Sequence, residues 1–564
     1  MLSSHPCWRL RPLFIFFSCA LLLSIGCIGL EITQMNVRFA LMVEDLSAHG
    51  LHLFATLNGV PYCDYFSAWL CCAWLTSLGG TEVNLFTLAL PAILLGSYTV
   101  MMVWVIGEKI REGIGTAAAV LLLVTPEFVT LFAGTGIDVP IMAVGVTLLY
   151  LYQRKCRWWI FCGLFFLLLV LMFFLRGPLG VIMLGAGICG LLLGQREWKK
   201  FFTAGLTAGF AMASGIAGAW GLILLTGGRK LLDWVVESQF LERVSQGRAG
   251  AAVFLDAYFM VIPITLLSLG IFLHRRNKIA RPPSAGWIGF LLLPLLFLIF
   301  PSRVHIRYMA PLMPVWGLLA TYAWSFGKPF RLLRRLYDFA AQWLAKLTVP
   351  VGMTALLAMV ATGTCLYGFT LQQPWGHYLC AALLLFTSRY WCNRELMPFR
   401  PLLITGILLV IVLNPLISIR ENSRSFVRTA ENQCRGKVWL LEMGPDHDDL
   451  KYLLHVSPDR RCNIGYLFFQ PQKLTGMYRV MYPTAVLESS LDRIADNDLL
   501  IVRDRDEELD ELNGIAARRG RRSAVVCSGT LGHRKYLAVR LTGKSSSTDY
   551  DGNERKTARN QERD

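Results

Sequence analysis

A few charged residues lie in short connections between long apolar segments, where the chain has little other charge. A carboxylate or guanidinium group in or beside a bilayer is costly, so such residues are functional candidates by default. A carboxylate can accept a proton, and a guanidinium group can hold two oxygens of one anion. The carboxylates of main interest are Glu31, Asp64 and Asp138, and the cations are Arg38, Arg176, Arg303 and Arg307.

The composition indicates which elements must position these residues. Of the 564 residues, 54% are hydrophobic and 16% are charged, against roughly a quarter charged in a soluble domain. Apolar runs long enough to cross a bilayer predict about thirteen transmembrane helices. The runs lie near 12–30, 83–106, 114–133, 138–152, 158–175, 178–194, 203–226, 252–273, 285–300, 308–326, 347–371, 376–391 and 401–419, with a shorter interfacial piece at 66–78.

The charges between these runs predict their orientation. The formal net charge is +17, and most of the excess lies before residue 420, in clusters at alternate connections. By the positive-inside rule these connections and the N-terminus are cytoplasmic, so the excess does not indicate a nucleic-acid partner. The clusters lie at 109–111, 154–157, 196–200, 275–281, 328–335 and 389–400. The opposite connections then face outward, including a first outward loop at 31–82 and a second long loop at 227–250.

The chain changes character at residue 420. Short apolar runs at 437–443, 465–469, 498–504, 523–528 and 535–541 predict strands, and stretches at 446–455 and 505–519 predict helices. We therefore expect a transmembrane domain at 1–419 and a small extracytoplasmic α/β domain at 420–542. Residues 543–564 lack apolar anchors and should be disordered. One disulfide among Cys434, Cys462 and Cys527 is a further expectation for the outward domain.

Four motifs in order resemble bacterial GT-C glycosyltransferases, the group that contains the lipid A aminoarabinose transferase and relatives of protein O-mannosyltransferases. The stretch RFALMVEDLSAHGLHLFATLNGVPYCD, from Arg38 to Asp64, is similar to their first outward loop. The other three motifs are GTGIDVP around Asp138, the turn at Arg176, and RYMAPLMP at 307–314. The resemblance covers residues 30–320 and implies a GT-C-like polytopic membrane fold in a bacterial inner membrane.

This resemblance implies transfer of a sugar from a polyprenyl-phosphate carrier to a lipid or protein acceptor at the outer face. The acceptor hydroxyl then needs a carboxylate as general base, for which Asp64, Asp138 and Glu31 are the candidates. The departing lipid phosphate needs cations, for which Arg38, Arg176, Arg303 and Arg307 are the candidates. No cofactor is certain, and a requirement for a divalent metal bound in part by Asp64 is left as an alternative.

Simpler roles remain for each of these residues. Glu31 could end the first span as an interfacial charge, Asp138 could cap the helix that follows it, and Asp64 could pair with Arg38. Arg38 and Arg176 could reach the interface by snorkelling. The pair of Arg303 and Arg307, with His305 between them, could hold an ordinary phospholipid.

Two departures from the family pattern lead to a second hypothesis. Met35 stands where the family carries its presumed catalytic Asp, and Tyr65, Phe66 and Ser67 replace a Lys-Pro-Pro segment. A catalytically altered relative that binds lipid-linked sugar is therefore one alternative. A transporter or flippase for lipid-linked saccharides is another, from a different functional class.

Overall fold

The computed structural model describes residues 6–25, 27, 32, 35–57, 60–132, 134–236, 284–299, 306–326, 423–443, 448–456, 463–469, 485–531 and 534–543. The chain divides into two compact units, Met1–Ile419 and Arg420–Asp564. The spans predicted near 252–273, 347–371, 376–391 and 401–419 lie outside the described residues, as do Glu31, Arg303 and the tail beyond residue 543.

The first unit is built from apolar helices and one small hairpin. Its elements are α1 (Pro6–Ile25), α2 (Met35–His49), β1 (Phe54–Leu57), β2 (Val60–Phe66), α3 (Ser67–Thr76), α4 (Leu85–Ile110), α5 (Ile114–Leu123), α6 (Pro126–Thr130), α7 (Val139–Gln153), α8 (Trp158–Arg176), α9 (Pro178–Gly194), α10 (Trp198–Val236), α11 (Ser284–Phe297), the 3-10 helix Ile306–Leu312, and α12 (Met313–Phe326). Strands β1 and β2 pair antiparallel.

Three of the described helices are long and apolar enough to cross a membrane. They are Leu85–Ile110, Trp158–Arg176 and Trp198–Asp233, and other apolar helices of this unit are shorter. Helix α4 is largely buried, whereas α8 and α10 expose apolar side chains such as Trp159, at 70%, and Phe202, at 64%. Large apolar side chains facing outward are stable against lipid and unfavourable against water, so these faces are suited to the hydrocarbon region.

Two predicted boundaries in this unit are wrong. The run at 114–133 is not one helix, because it divides into α5 and α6 just before Pro126, which lacks a backbone N–H. The loop predicted at 227–250 begins with helix instead: α10 continues to Val236 across a kink at Gly228, where φ is 65°. After the kink, Leu232 and Val235 pack beside Phe54 and hold this extension in place.

The second unit is an α/β fold with one five-stranded sheet. Its elements are α13 (Arg424–Gln433), β3 (Val438–Leu441), α14 (Asp448–His455), β4 (Ile464–Leu467), α15 (Leu487–Ser490), β5 (Leu499–Arg503), α16 (Asp506–Arg518), β6 (Arg521–Leu531) and β7 (Arg534–Gly543). The strand order is β4-β3-β5-β7-β6. Strand β3 pairs parallel with β4 and β5, and β7 pairs antiparallel with β5 and β6.

Strands β3 and β5 are almost entirely apolar because both of their faces are covered. Every residue of β3 and β5 is buried, and alternate side chains, such as Leu441 and Leu500, join one core with Leu512 and Ile515 of α16. Asp498 is 4% exposed and joins β5 to β3, because its carboxylate accepts hydrogen bonds from Lys437 N at 2.7 Å and Trp439 Nε1 at 3.0 Å.

The disulfide expected in this unit does not involve Cys527. The Cys527 thiol is free on β6. A pairing through Cys462 lies outside the described residues. The sheet and its core therefore hold β6 in place through strand pairing and apolar contacts, with no covalent link at Cys527.

Candidate functional site

The carboxylate of Asp138 is the centre of a buried ionic cluster. Asp138 directly precedes α7, in the position of a helix N-cap, but its side chain makes no capping hydrogen bond. It is 1% exposed and accepts a hydrogen bond from Arg176 Nε at 2.5 Å. Capping is therefore not the role of this side chain. Its contacts are ionic, and a charge this deeply buried needs such a partner.

A second guanidinium group approaches the same carboxylate from another element. Arg307 Nε lies 3.9 Å from Asp138 Oδ2, and the Arg307 side chain is 20% exposed. Tyr308 lies beside both arginines: its ring centroid is 5.2 Å from Arg176 Cζ and 5.8 Å from Arg307 Cζ. The ring face attracts both cations, so two positive groups stay close together around one carboxylate.

The position of Arg176 follows from a sharp turn between two helices. Arg176 is the last residue of α8, and Pro178 begins α9. Gly177 alone joins them, with φ of 78°, a backbone conformation that glycine adopts without steric cost. Proline at the first position of a helix loses no hydrogen bond. This turn places the guanidinium group at the end of α8 that lies next to the Asp138 turn.

The turn at 134–138 is held by contacts from α2 and α3. The side chain of Asn36 lies so close to Gly134 that a Cβ atom there would overlap it. Trp69 Nε1 donates a hydrogen bond to the Thr135 carbonyl oxygen at 2.7 Å. Both contacts are buried or partly buried. They connect α2 and α3 to the turn that carries Asp138.

A further arginine, on α2, has an aromatic partner. Arg38 on α2 is 6% exposed, and its Nη1 donates a hydrogen bond to the hydroxyl of Tyr62 on β2. The Arg38 Cζ atom also lies 5.0 Å from the Tyr62 ring centroid. Asp64 is two residues further along β2, but its side chain lies outside the described residues. The predicted pairing of Arg38 with Asp64 therefore stays untested. The contact of Arg38 with Tyr62 is one that the sequence did not predict.

Aromatic side chains connect the hairpin to the end of α8. The Phe66 ring stacks on Phe54 with centroids 5.1 Å apart, and it lies 6.0 Å from Phe173 and 5.8 Å from Phe174. Phe173 and Phe174 occupy the last turn of α8, which ends at Arg176. Through these contacts the end of β2 packs against the segment that positions Arg176.

The structure thus brings together three of the residues that the sequence selects. Asp138, Arg176 and Arg307 form one cluster. Arg38 instead contacts Tyr62. Sequence reasoning missed the partners Tyr62 and Tyr308, although each stands within a quoted motif, and Tyr308 is adjacent to Arg307. Among the described residues, no group of three or more His, Cys, Asp and Glu side chains could hold a metal ion.

Comparison with known proteins gives a fold match along nearly the whole chain. Neither the family models nor the curated proteins matched this sequence. Among solved structures, ArnT from Cupriavidus metallidurans bound to undecaprenyl phosphate matches with a TM-score of 0.64 at 10% identity, covering 97% of this chain and 100% of that chain. The apo state of the same protein matches with a TM-score of 0.62 at 14% identity, covering 95% and 98%.

These matches confirm the resemblance that the four motifs predicted. ArnT is a lipid A aminoarabinose transferase with the GT-C fold. The chain is therefore a polytopic membrane protein whose fold is similar to that of ArnT.

Proposed function

We propose that this protein transfers a sugar from a polyprenyl-phosphate donor to a lipid or protein acceptor at the extracytoplasmic face of a bacterial inner membrane. The observation that supports this most directly is the pair of guanidinium groups around buried Asp138, in a fold shared with a protein that binds undecaprenyl phosphate. The proposed topology has a cytoplasmic N-terminus and residues 420–542 outside.

The charges of the cluster favour an anionic ligand. Arg176 and Arg307 carry two positive charges against the one negative charge of Asp138, which leaves a net charge of about +1 in a site largely shielded from water. Guanidinium groups bind phosphate through two parallel hydrogen bonds. Arg176 and Arg307 are thus our proposed phosphate-binding residues, with Arg303 and Arg38 as further cations for the same lipid.

In the proposed reaction the bond between the sugar C1 atom and the phosphate oxygen breaks, and the lipid phosphate leaves with the electron pair. Cations near that oxygen stabilise the developing negative charge. Asp138 then serves to orient the two guanidinium groups, because its two carboxylate oxygens face Arg176 and Arg307. Asp64 and Glu31 remain proposed carboxylates for the acceptor side, and Asp64 remains the candidate ligand if a divalent metal takes part.

Lipid binding by the purified, detergent-solubilised protein tests the phosphate site. The probe is undecaprenyl phosphate, measured by native mass spectrometry. Losing one hydrogen-bonded charge contact costs about 1.5–3 kcal/mol, so Arg307→Gln should weaken binding roughly 10- to 150-fold. Arg154→Gln is the matched control, since Arg154 is an exposed cation at the other end of α7.

A second variant separates the loss of the phosphate site from misfolding. Arg176→Lys keeps the positive charge beside Asp138 but removes the planar fork, so it should fold and still bind the lipid more weakly. Equal affinity of the wild-type protein, Arg307→Gln and Arg176→Lys would refute the assignment. Retained binding together with no sugar transfer by the wild-type protein would favour the catalytically altered relative.

A further inference from the structure

The short helix α6 carries a carboxylate and packs against elements that build the ionic cluster. Glu127 lies in the first turn of α6. Helix α6 packs against the 3-10 helix that contains Arg307 and Tyr308. At the other end of α6, the carbonyl oxygen of Leu131 lies against Gly136 in the turn that carries Asp138. Helix α6 therefore contacts the elements that carry Arg307 and Asp138.

Glu127 differs from other carboxylates of this unit in its partners. Glu108 accepts hydrogen bonds from Gly113 N and Thr116 N, which joins the ends of α4 and α5. Glu197 accepts hydrogen bonds from Tyr152 and Lys200. These side chains have structural roles. Glu127 is partly buried, yet its carboxylate has neither an ion pair nor a hydrogen bond among the described residues.

A carboxylate without a cation is the stronger base. The Asp138 carboxylate is already occupied, because Arg176 Nε donates a hydrogen bond to it. Among the described residues no cation pairs with the Glu127 carboxylate, and partial burial disfavours its charged form. The first turn of α6 favours an acidic residue, but burial of a charge without a partner opposes it.

We propose that Glu127 is the general base that accepts the proton of the acceptor hydroxyl. This role rests on the proposed function. The acceptor oxygen forms a bond to the sugar C1 atom, the bond from C1 to the phosphate oxygen breaks, and the lipid phosphate leaves with the electron pair. The hydroxyl proton passes to the Glu127 carboxylate. Arg176 and Arg307 stabilise the leaving phosphate. The negative group that accepts the proton and the positive groups that stabilise the phosphate thus belong to neighbouring elements.

The test is sugar transfer in membranes whose lipid-linked sugars are radiolabelled, with label counted in glycolipids and glycoproteins. Glu127→Gln should lower the transfer rate by about 10²- to 10⁴-fold. Binding of undecaprenyl phosphate to the same variant should stay within about twofold, because Glu127 has no role in holding phosphate. Its thermal stability should equal or exceed that of the wild-type protein, since an unpaired charge is removed.

Two controls make the outcome specific. Glu82→Gln, at an exposed glutamate with no side-chain ion pair among the described residues, should transfer at the wild-type rate. Asp64→Asn tests the competing base. Transfer by Glu127→Gln within about threefold of the wild-type rate would overturn the role of Glu127 while the proposed function stands. Absence of transfer by the wild-type protein would overturn both.

Discussion

Replacing Asp138 distinguishes a charge partner from a helix cap. Serine caps helices as well as aspartate does, so Asp138→Ser should cost only a few tenths of a kcal/mol if capping were the role. Breaking a buried ion pair costs about 3–5 kcal/mol. Because Arg176 also contacts the ring of Tyr308 and Arg307 is partly exposed, we expect the lower end, about 3 kcal/mol, for both Asp138→Ser and Asp138→Asn.

The free energy of unfolding can be measured by reversible titration with SDS in mixed micelles, followed by circular dichroism. A double-mutant cycle with Arg176→Met isolates the pair, and we expect a coupling energy of about 1–3 kcal/mol between Asp138 and Arg176. A cost below about 1 kcal/mol for Asp138→Ser would refute the reasoning, and so would a coupling energy near zero.

Three further changes probe other contacts. Phe66→Ala should lower the free energy of unfolding by about 3–5 kcal/mol and reduce transfer in the membrane assay, because the hairpin loses its contact with Phe173. Trp69→Phe removes the hydrogen bond to the buried Thr135 carbonyl and should cost about 1–3 kcal/mol in the SDS titration. Burial raises the pKa of the Cys527 thiol, so less thiolate is present at a given pH. Peptide mass spectrometry should find Cys527 alkylated more slowly at pH 8 than free cysteine, with the rate rising toward higher pH; an equal rate would contradict the burial.

Much of the fold is visible in the sequence because it depends on local patterns. Apolar runs at 158–175 and 178–194 predict α8 and α9 to within a residue of their observed ends. The five short runs after residue 420 coincide with the five strands of the sheet. One of the two wrong boundaries lies at Gly227 and Gly228. These glycines are typical of the start of a loop, but the apolar residues beyond them continue the helix after a kink.

The candidate site is less accessible from sequence because it depends on contacts between distant segments. The type and placement of Asp138, Arg176 and Arg307 mark them as unusual, and family motifs surround them. Their meeting at one carboxylate requires the packing of α7, α8 and the 3-10 helix, which no local pattern encodes. Glu127 was overlooked because the run at 114–133 reads as a single span, and only the break before Pro126 places this residue outside it.

The one-residue joint at Gly177 has a consequence for how this protein can tolerate change. An α-helix turns by about 100° per residue, so a single residue inserted at the end of α8 would swing Arg176 to a different side of that helix. Neither helix would need to unfold, and the apolar faces could still pack. The protein would keep its architecture and lose the cluster of Asp138, Arg176 and Arg307. A change in chain length at this corner, without any change of side chain, would then be enough to abolish the proposed binding of lipid phosphate.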